Sequence, residues 1–250
     1  MKLEIKNLNK SFNNKVALNN INFSLNEGDI IGLIGNNGAG KTTIIKSIFQ
    51  EYIVDKNCIL VNGEMIDENS LKKMEFFPDQ NNFSKNFNIK KYCNYNYQLK
   101  NGKNGCDFEK LFLKIMSLLG LEDKVKDKFN QLSSGMQKKA LLASILVNKP
   151  EIIVLDEPTA NLDIQTRKQF IGLLKKLSQK SDVGIIITSH NIDELETFIN
   201  KIVLIKNGEI ILQKKYDPNK EKLFDIYKKW FLIDDNNPQE SELLEIYSQK

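Results

Sequence analysis

A five-residue apolar run, Ile30-Ile31-Gly32-Leu33-Ile34, opens directly into Gly35-Asn36-Asn37-Gly38-Ala39-Gly40-Lys41-Thr42. No other junction in the chain constrains its fold as much. A continuous apolar run marks a strand covered on both faces, as in the middle of a parallel sheet. The eight residues after it satisfy G-x-x-x-x-G-K-[ST]. Glycines let the backbone curl until successive N–H groups converge on one point. Helical spacing from Thr42 to Gln50 brings the positive end of a helix dipole to that point. Such geometry recognises nucleotide phosphates. Gly35, Asn36, Asn37, Gly38, Ala39 and Gly40 supply the curled backbone, and Lys41 reaches the β- and γ-phosphates. The Thr42 hydroxyl is a Mg²⁺ ligand, and Thr43 completes the set.

Two further apolar runs, Ile152 to Leu155 and Ile185 to Ile187, read as buried strands. The first leads into Asp156-Glu157-Pro158. A phosphate loop needs a neighbouring strand ending in a carboxylate that orients the metal and its waters, and Asp156 fills that role. Glu157, one residue further, is placed to polarise an attacking water. Alternating apolar and polar residues at 3–5 and 21–25 read as strands of a half-exposed sheet. Residues Asn81 to Asn101 are rich in Asn, Lys and aromatics, and Phe108 to Leu119 has helical apolar spacing. Strands alternating with helices imply a parallel sheet, here interrupted by a helical insertion. A last short strand follows Gly208. The chain then turns polar at Asp217-Pro218 and ends in amphipathic patterns around Leu223–Trp230 and Glu242–Tyr247.

Composition narrows the partners. In 250 residues, 41% hydrophobic and 27% charged, no stretch approaches the roughly 18 apolar residues of a membrane-spanning helix. The first six residues alternate apolar and charged side chains and form no apolar signal region, so the chain is expected to stay in the compartment where it is made. Net charge is +4, but Arg167 is the only arginine among 36 basic residues, and the charge is spread along the chain. Nucleic acid is therefore not an expected partner. Three scattered cysteines, Cys58, Cys93 and Cys106, suit a reducing compartment and form no zinc motif.

Leu132-Ser133-Ser134-Gly135-Met136 stands about 20 residues before Asp156 and opens an amphipathic helix running to Asn148. By itself this is a helix capped by Ser133. Between the phosphate loop and Asp156-Glu157, it resembles the signature sequence of the ATP-binding-cassette (ABC) ATPases, and the likeness extends from Leu3 to about Ile211. The resemblance implies an α/β fold of the P-loop NTPase type. A RecA-like parallel sheet would carry an N-terminal antiparallel β subdomain and an α-helical subdomain inserted at about 82–148. The cassette would occupy 1–215 and a C-terminal helical tail 216–250.

Site roles follow from the same resemblance. Phe12 matches the aromatic that stacks on adenine, about thirty residues before Lys41. Ala160-Asn161-Leu162-Asp163 matches the loop that crosses a dimer interface. His190 matches the switch histidine that contacts the γ-phosphate, and it is the only histidine in the chain. The sensing glutamine of the family falls at Asp79 or Gln80, either of which could meet Mg²⁺. ATP would lie in a head-to-tail pair of cassettes, with Ser133 and Gly135 touching the partner's nucleotide. Glu157 would drive hydrolysis. Three positions depart from the pattern. Ser134 replaces a glycine, Met136 a glutamine, and Ala160 a serine.

The implied activity is ATP hydrolysis powering a separate membrane-spanning transporter subunit, with a second ATPase subunit, identical or not, completing the site. The chain would be cytoplasmic and peripheral on the inner face of the cell membrane. Phe83, Phe87, Tyr92, Tyr95 and Tyr97 are either docking contacts for that partner or packing within the helical insertion. The short tail resembles exporter subunits for drugs or antimicrobial peptides. The alternative is a non-transport cassette, acting as an ATP-gated scaffold or on nucleic acid or ribosomes.

Overall fold

The computed structural model describes residues 1–78, 85–102, 107–189 and 192–231. Asp79, Gln80, Phe83, Cys106, His190 and the Glu242–Tyr247 pattern lie outside them. In chain order the strands are β1 Leu3–Phe12, β2 Lys15–Leu25, β3 Ile30–Ile34, β4 Ile59–Val61, β5 Glu64–Met65, β6 Met74–Phe77, β7 Ile152–Asp156, β8 Gly184–Thr188, β9 Lys201–Lys206 and β10 Glu209–Lys215. The helices are α1 Lys41–Ile48, α2 Glu68–Lys72, α3 Ile89–Asn101, α4 Phe108–Leu118, α5 Ser134–Leu146, α6 Ile164–Ser181, α7 Ile192–Glu196 and α8 Leu223–Phe231.

Two sheets form. The larger has the order β10-β9-β3-β8-β7-β6, parallel throughout except for β10, which turns back on β9. The phosphate-loop strand β3 thus sits between β8 and β9, and β7 lies one strand further over. Side chains of β3 alternate between two apolar clusters. Ile31 and Leu33 face α1 and the smaller sheet, whereas Ile30 and Ile34 face α6 and the helical insertion. This double burial is why the run carries no polar residue.

The smaller sheet, β2-β1-β4-β5, is antiparallel. Its long hairpin extends well beyond the short segments at 3–5 and 21–25 expected from alternation. The register shifts at three points in β1, and Asn7 and Asn20 take left-handed φ values of 48° and 51°. Neighbouring asparagine side chains satisfy the freed backbone, with Asn22 Oδ1 accepting from Asn7 N and Asn9 Oδ1 from Asn20 N, both at 2.8 Å. These bulges break the two-residue period and hide the strands from a pattern search.

Helices α3, α4 and α5 pack together, burying Ile89, Cys93, Phe112, Met116, Ala140 and Leu141. Burial raises the thiol pKa of both Cys93 and Cys58. An inert protonated thiol is the physical consequence. The aromatics of the insertion divide. Tyr92 packs edge-on to Phe129 and Tyr97 against Phe108, while Phe87 and Tyr95 are exposed. Helix α8 buries Leu223 and Ile226 in the cluster shared with α6 and the insertion, so this part of the tail packs onto the body of the protein.

Candidate functional site: a phosphate-binding cavity

The loop after β3 is shaped by what glycine lacks. A Cβ at Gly35 would run into the Ile205 carbonyl of β9, and one at Gly40 would lie 2.7 Å from Leu18 Cδ2. Gly40, at φ 112°, is also the N-cap of α1 and offers no side chain to the first turn of the helix. The N-terminal N–H groups of α1 are therefore left for a ligand.

Lys41 is buried at 7% exposure, with Nζ donating to Gly35 O at 2.6 Å and Asn36 O at 3.1 Å. Burial lowers its pKa, opposed by the negative charges of Glu157 and Asp156. A buried ammonium whose partners among the described residues are neutral carbonyls gains when phosphate oxygens arrive. Beside it lies a cavity of about 400 Å³ lined by Ala17, Asn37, Gly38, Gly40, Lys41, Thr42, Thr43, Asp156 and Glu157.

One hydroxyl ties the two carboxylate residues together. Thr188, at the end of β8, donates from Oγ1 to Asp156 Oδ1 at 2.6 Å and accepts from Glu157 N at 3.1 Å. Glu157 itself takes a left-handed φ of 47°, which turns the chain sharply out of the sheet. Thr188 was not singled out from sequence. Its only signal was its place directly after a buried strand.

The fit to a divalent cation rests on the donors. Among the described residues, no group of three or more His, Cys, Asp or Glu side chains could enclose an ion. Thr42 and Asp156 both line the cavity, and an ion there would draw its remaining oxygens from phosphates and water, the arrangement Mg²⁺ prefers.

Other expected site residues stand apart. Phe12 ends β1 at 39% exposure, its ring edge-on to Tyr52 at 5.0 Å, and does not line the cavity. Ser133 caps α5 by accepting from Met136 N at 3.3 Å, and Gly135 packs near Thr166. Neither lines the cavity.

A parallel sheet, a phosphate loop on its central strand and a carboxylate pair at the end of β7 define a P-loop nucleotide hydrolase. The ABC transporter family model matches residues 18–160, more than half of the chain. The chain belongs to that family and is one of its ATP-binding, ATP-hydrolysing cassettes.

Relatives agree. A Mycoplasma pneumoniae protein, named only as an ABC transporter ATP-binding protein, is 33% identical over 85% of this chain. The match spans 66% of that relative's length. The phosphonates import ATP-binding protein PhnC of Lactobacillus delbrueckii subsp. bulgaricus is 28% identical over 89% of this chain and 93% of its own. A dimeric ATP-binding cassette solved in a post-hydrolysis state with ADP and Pi superposes with a TM-score of 0.74. It is 26% identical, over 85% of this chain and 98% of that one.

Proposed function

We propose that this chain is the ATPase subunit of a membrane transporter, working as one of two cassettes that close on ATP. The observation that carries this reading is the cavity where Lys41, Thr42, Asp156 and Glu157 converge. Thr42 and Asp156 would hold Mg²⁺, which would supply positive charge to the phosphate oxygens. Lys41 holds the β- and γ-phosphates, and the α1 N–H groups fix their orientation. Glu157 accepts a proton from the attacking water, its backbone held by Thr188. By the family resemblance, His190 would contact the γ-phosphate, Asp79 or Gln80 would meet the ion, and Phe12 would stack on the adenine. Ser133 and Gly135 serve the nucleotide of the second subunit, which is why they stand outside this chain's own cavity.

Among the described residues, no helix is long and apolar enough to cross a membrane. In this reading a partner subunit supplies the membrane path, and the cassette works on its cytoplasmic face. Of the aromatics in the insertion, Phe87 and Tyr95 are available for docking, with Leu99 one turn beyond Tyr95 on the same exposed face. The cassette occupies 1–215, with the helical subdomain at about 82–148 and the tail at 216–250.

For direction, export of drugs or antimicrobial peptides is one reading. The relative PhnC, covered over 93% of its length, is named an importer, so import is the other. Substrate movement in vesicles bearing the intact transporter decides between them.

The central experiment is Glu157→Gln. The expected product is an ATP-trapped dimer with turnover reduced by about 10²-fold or more. Unchanged turnover removes Glu157 from the chemistry. ATPase stimulated by RNA, with salt-sensitive binding, would favour the nucleic-acid reading instead.

A further inference from the structure

Helix α5 carries two polar side chains four residues apart, and hence on one face, that both reach the same turn. Ser134 Oγ donates to Asn161 O at 3.3 Å. Lys138 Nζ donates to Ala160 O at 2.6 Å and lies 3.4 Å from Glu157 O. Lys138 is only 1% exposed, so its ammonium sits in the interior between α5 and the turn. From the other side, Arg167 of α6 donates from Nη2 to Leu162 O at 3.2 Å. Three consecutive carbonyls, 160 to 162, thus each accept a side-chain hydrogen bond.

The turn they hold is a strained one. Glu157 and Asn161 have φ values of 47° and 61°, both left-handed and neither a glycine. Non-glycine residues persist there when their surroundings over-determine them. Side-chain donors on the turn's carbonyls are such a constraint.

We propose that Ser134 and Lys138 are positioning residues, a two-point clamp joining the signature helix to the Glu157–Asp163 turn. The clamp makes the helix that faces the partner's nucleotide set the position of Glu157 over the chain's own nucleotide. Engagement of one site is thereby read at the other. The hydroxyl that departs from the signature pattern at position 134 is half of this connection. The inference rests on the two-cassette ATPase reading above.

Steady-state ATPase of the full chain tests it, with wild type and Glu157→Gln as references. Lys138→Met is expected to lower kcat about tenfold, because small displacements of a reacting group cost heavily. KM for ATP should stay within about twofold, since the phosphate loop is untouched. Ser134→Ala, at an exposed position, should lower kcat about threefold with an unchanged melting temperature, and Ser134→Thr should restore it. In the double variant the two losses should not multiply, because both act on one turn. Should Lys138→Met fail to fold, the Ser134 pair decides alone. The clamp is overturned if Ser134→Ala keeps full kcat, or if KM rises in step with any loss of kcat. A wild-type chain that neither binds nor hydrolyses ATP would instead overturn the ATPase reading itself.

Discussion

Helices α1, α5 and α6 start in three different ways, and the contrast shows how one fold assigns three tasks to the same backbone geometry. Each presents free N–H groups and a positive dipole end. At α1 the cap is Gly40, with no side-chain bond to the helix, so the N–H groups face the cavity unclaimed. At α5 the cap is Ser133, whose neutral hydroxyl accepts from Met136 N. At α6 the cap is Asp163, whose carboxylate accepts from Thr166 N at 2.9 Å. An empty cap suits a phosphate that belongs to the chain's own site. A hydroxyl cap keeps the helix intact in one cassette and still admits a phosphate brought by another. A carboxylate cap fills the dipole's demand and repels phosphate, which suits a helix whose start holds no nucleotide.

The first way to break this comparison is at α1. Lys41→Met should reduce ATP turnover by about 10²-fold or more, with loss of nucleotide binding measured by titration, because one preorganised charge on the phosphates is removed. Retained binding would mean that the uncapped helix start suffices without its lysine.

A conversion of α5 into the α6 pattern is the sharper test. Ser133→Asp preserves a good cap, so the melting temperature of the isolated chain should hold. A carboxylate facing the partner's phosphates should nevertheless lower turnover about tenfold or more. Binding of ATP to the single cassette should be unchanged. Normal turnover in this variant would remove α5 from the composite site.

The smallest effect lies at α6. Hydrogen bonds from Thr166, first from its side chain and then from its N–H, hold the Asp163 pKa below 3.8. A depressed carboxylate stabilises the folded state fully above its unfolded pKa and loses that contribution as pH falls through the folded value. Asp163→Asn keeps a capping oxygen and removes the titration. Acid melting curves should therefore show a flatter fall below about pH 4.

How much of this was legible beforehand depended on what each residue's signal competed with. Ile30–Ile34 and Ile152–Leu155 were readable because a doubly buried strand admits no polar residue, so composition alone marks it. The strand β9 was not singled out, although Ile202 to Ile205 are as buried as β3, because no motif follows it. The β1–β2 hairpin was shortened by its asparagine bulges. Lys138 had no signal at all. A lysine in a helix reads as a solvent-facing residue, and only the turn packed against it makes it interior. Ser134 was visible as a departure, but its use depended on which carbonyl lay within reach. Motif residues stood out in the sequence because backbone curvature and charge dictate their types. Connecting residues were missed because their roles come from contacts between distant segments.

Those distant contacts also set the order of assembly. Strand β3 pairs on one edge with β8 and on the other with β9, whose residues follow about 150 and about 170 positions later in the chain. At synthesis rates of roughly 5–20 residues per second, the phosphate strand waits roughly 10–30 s for its neighbours. During that interval both of its hydrogen-bonding edges stand open on a wholly apolar segment, the kind of template on which nascent chains aggregate. The β1–β2 hairpin, whose partners are adjacent in sequence, has no such wait. A newly made chain therefore carries its nucleotide loop long before it possesses a nucleotide site, and slow translation between Phe77 and Gly184 would lengthen its exposure to misassembly.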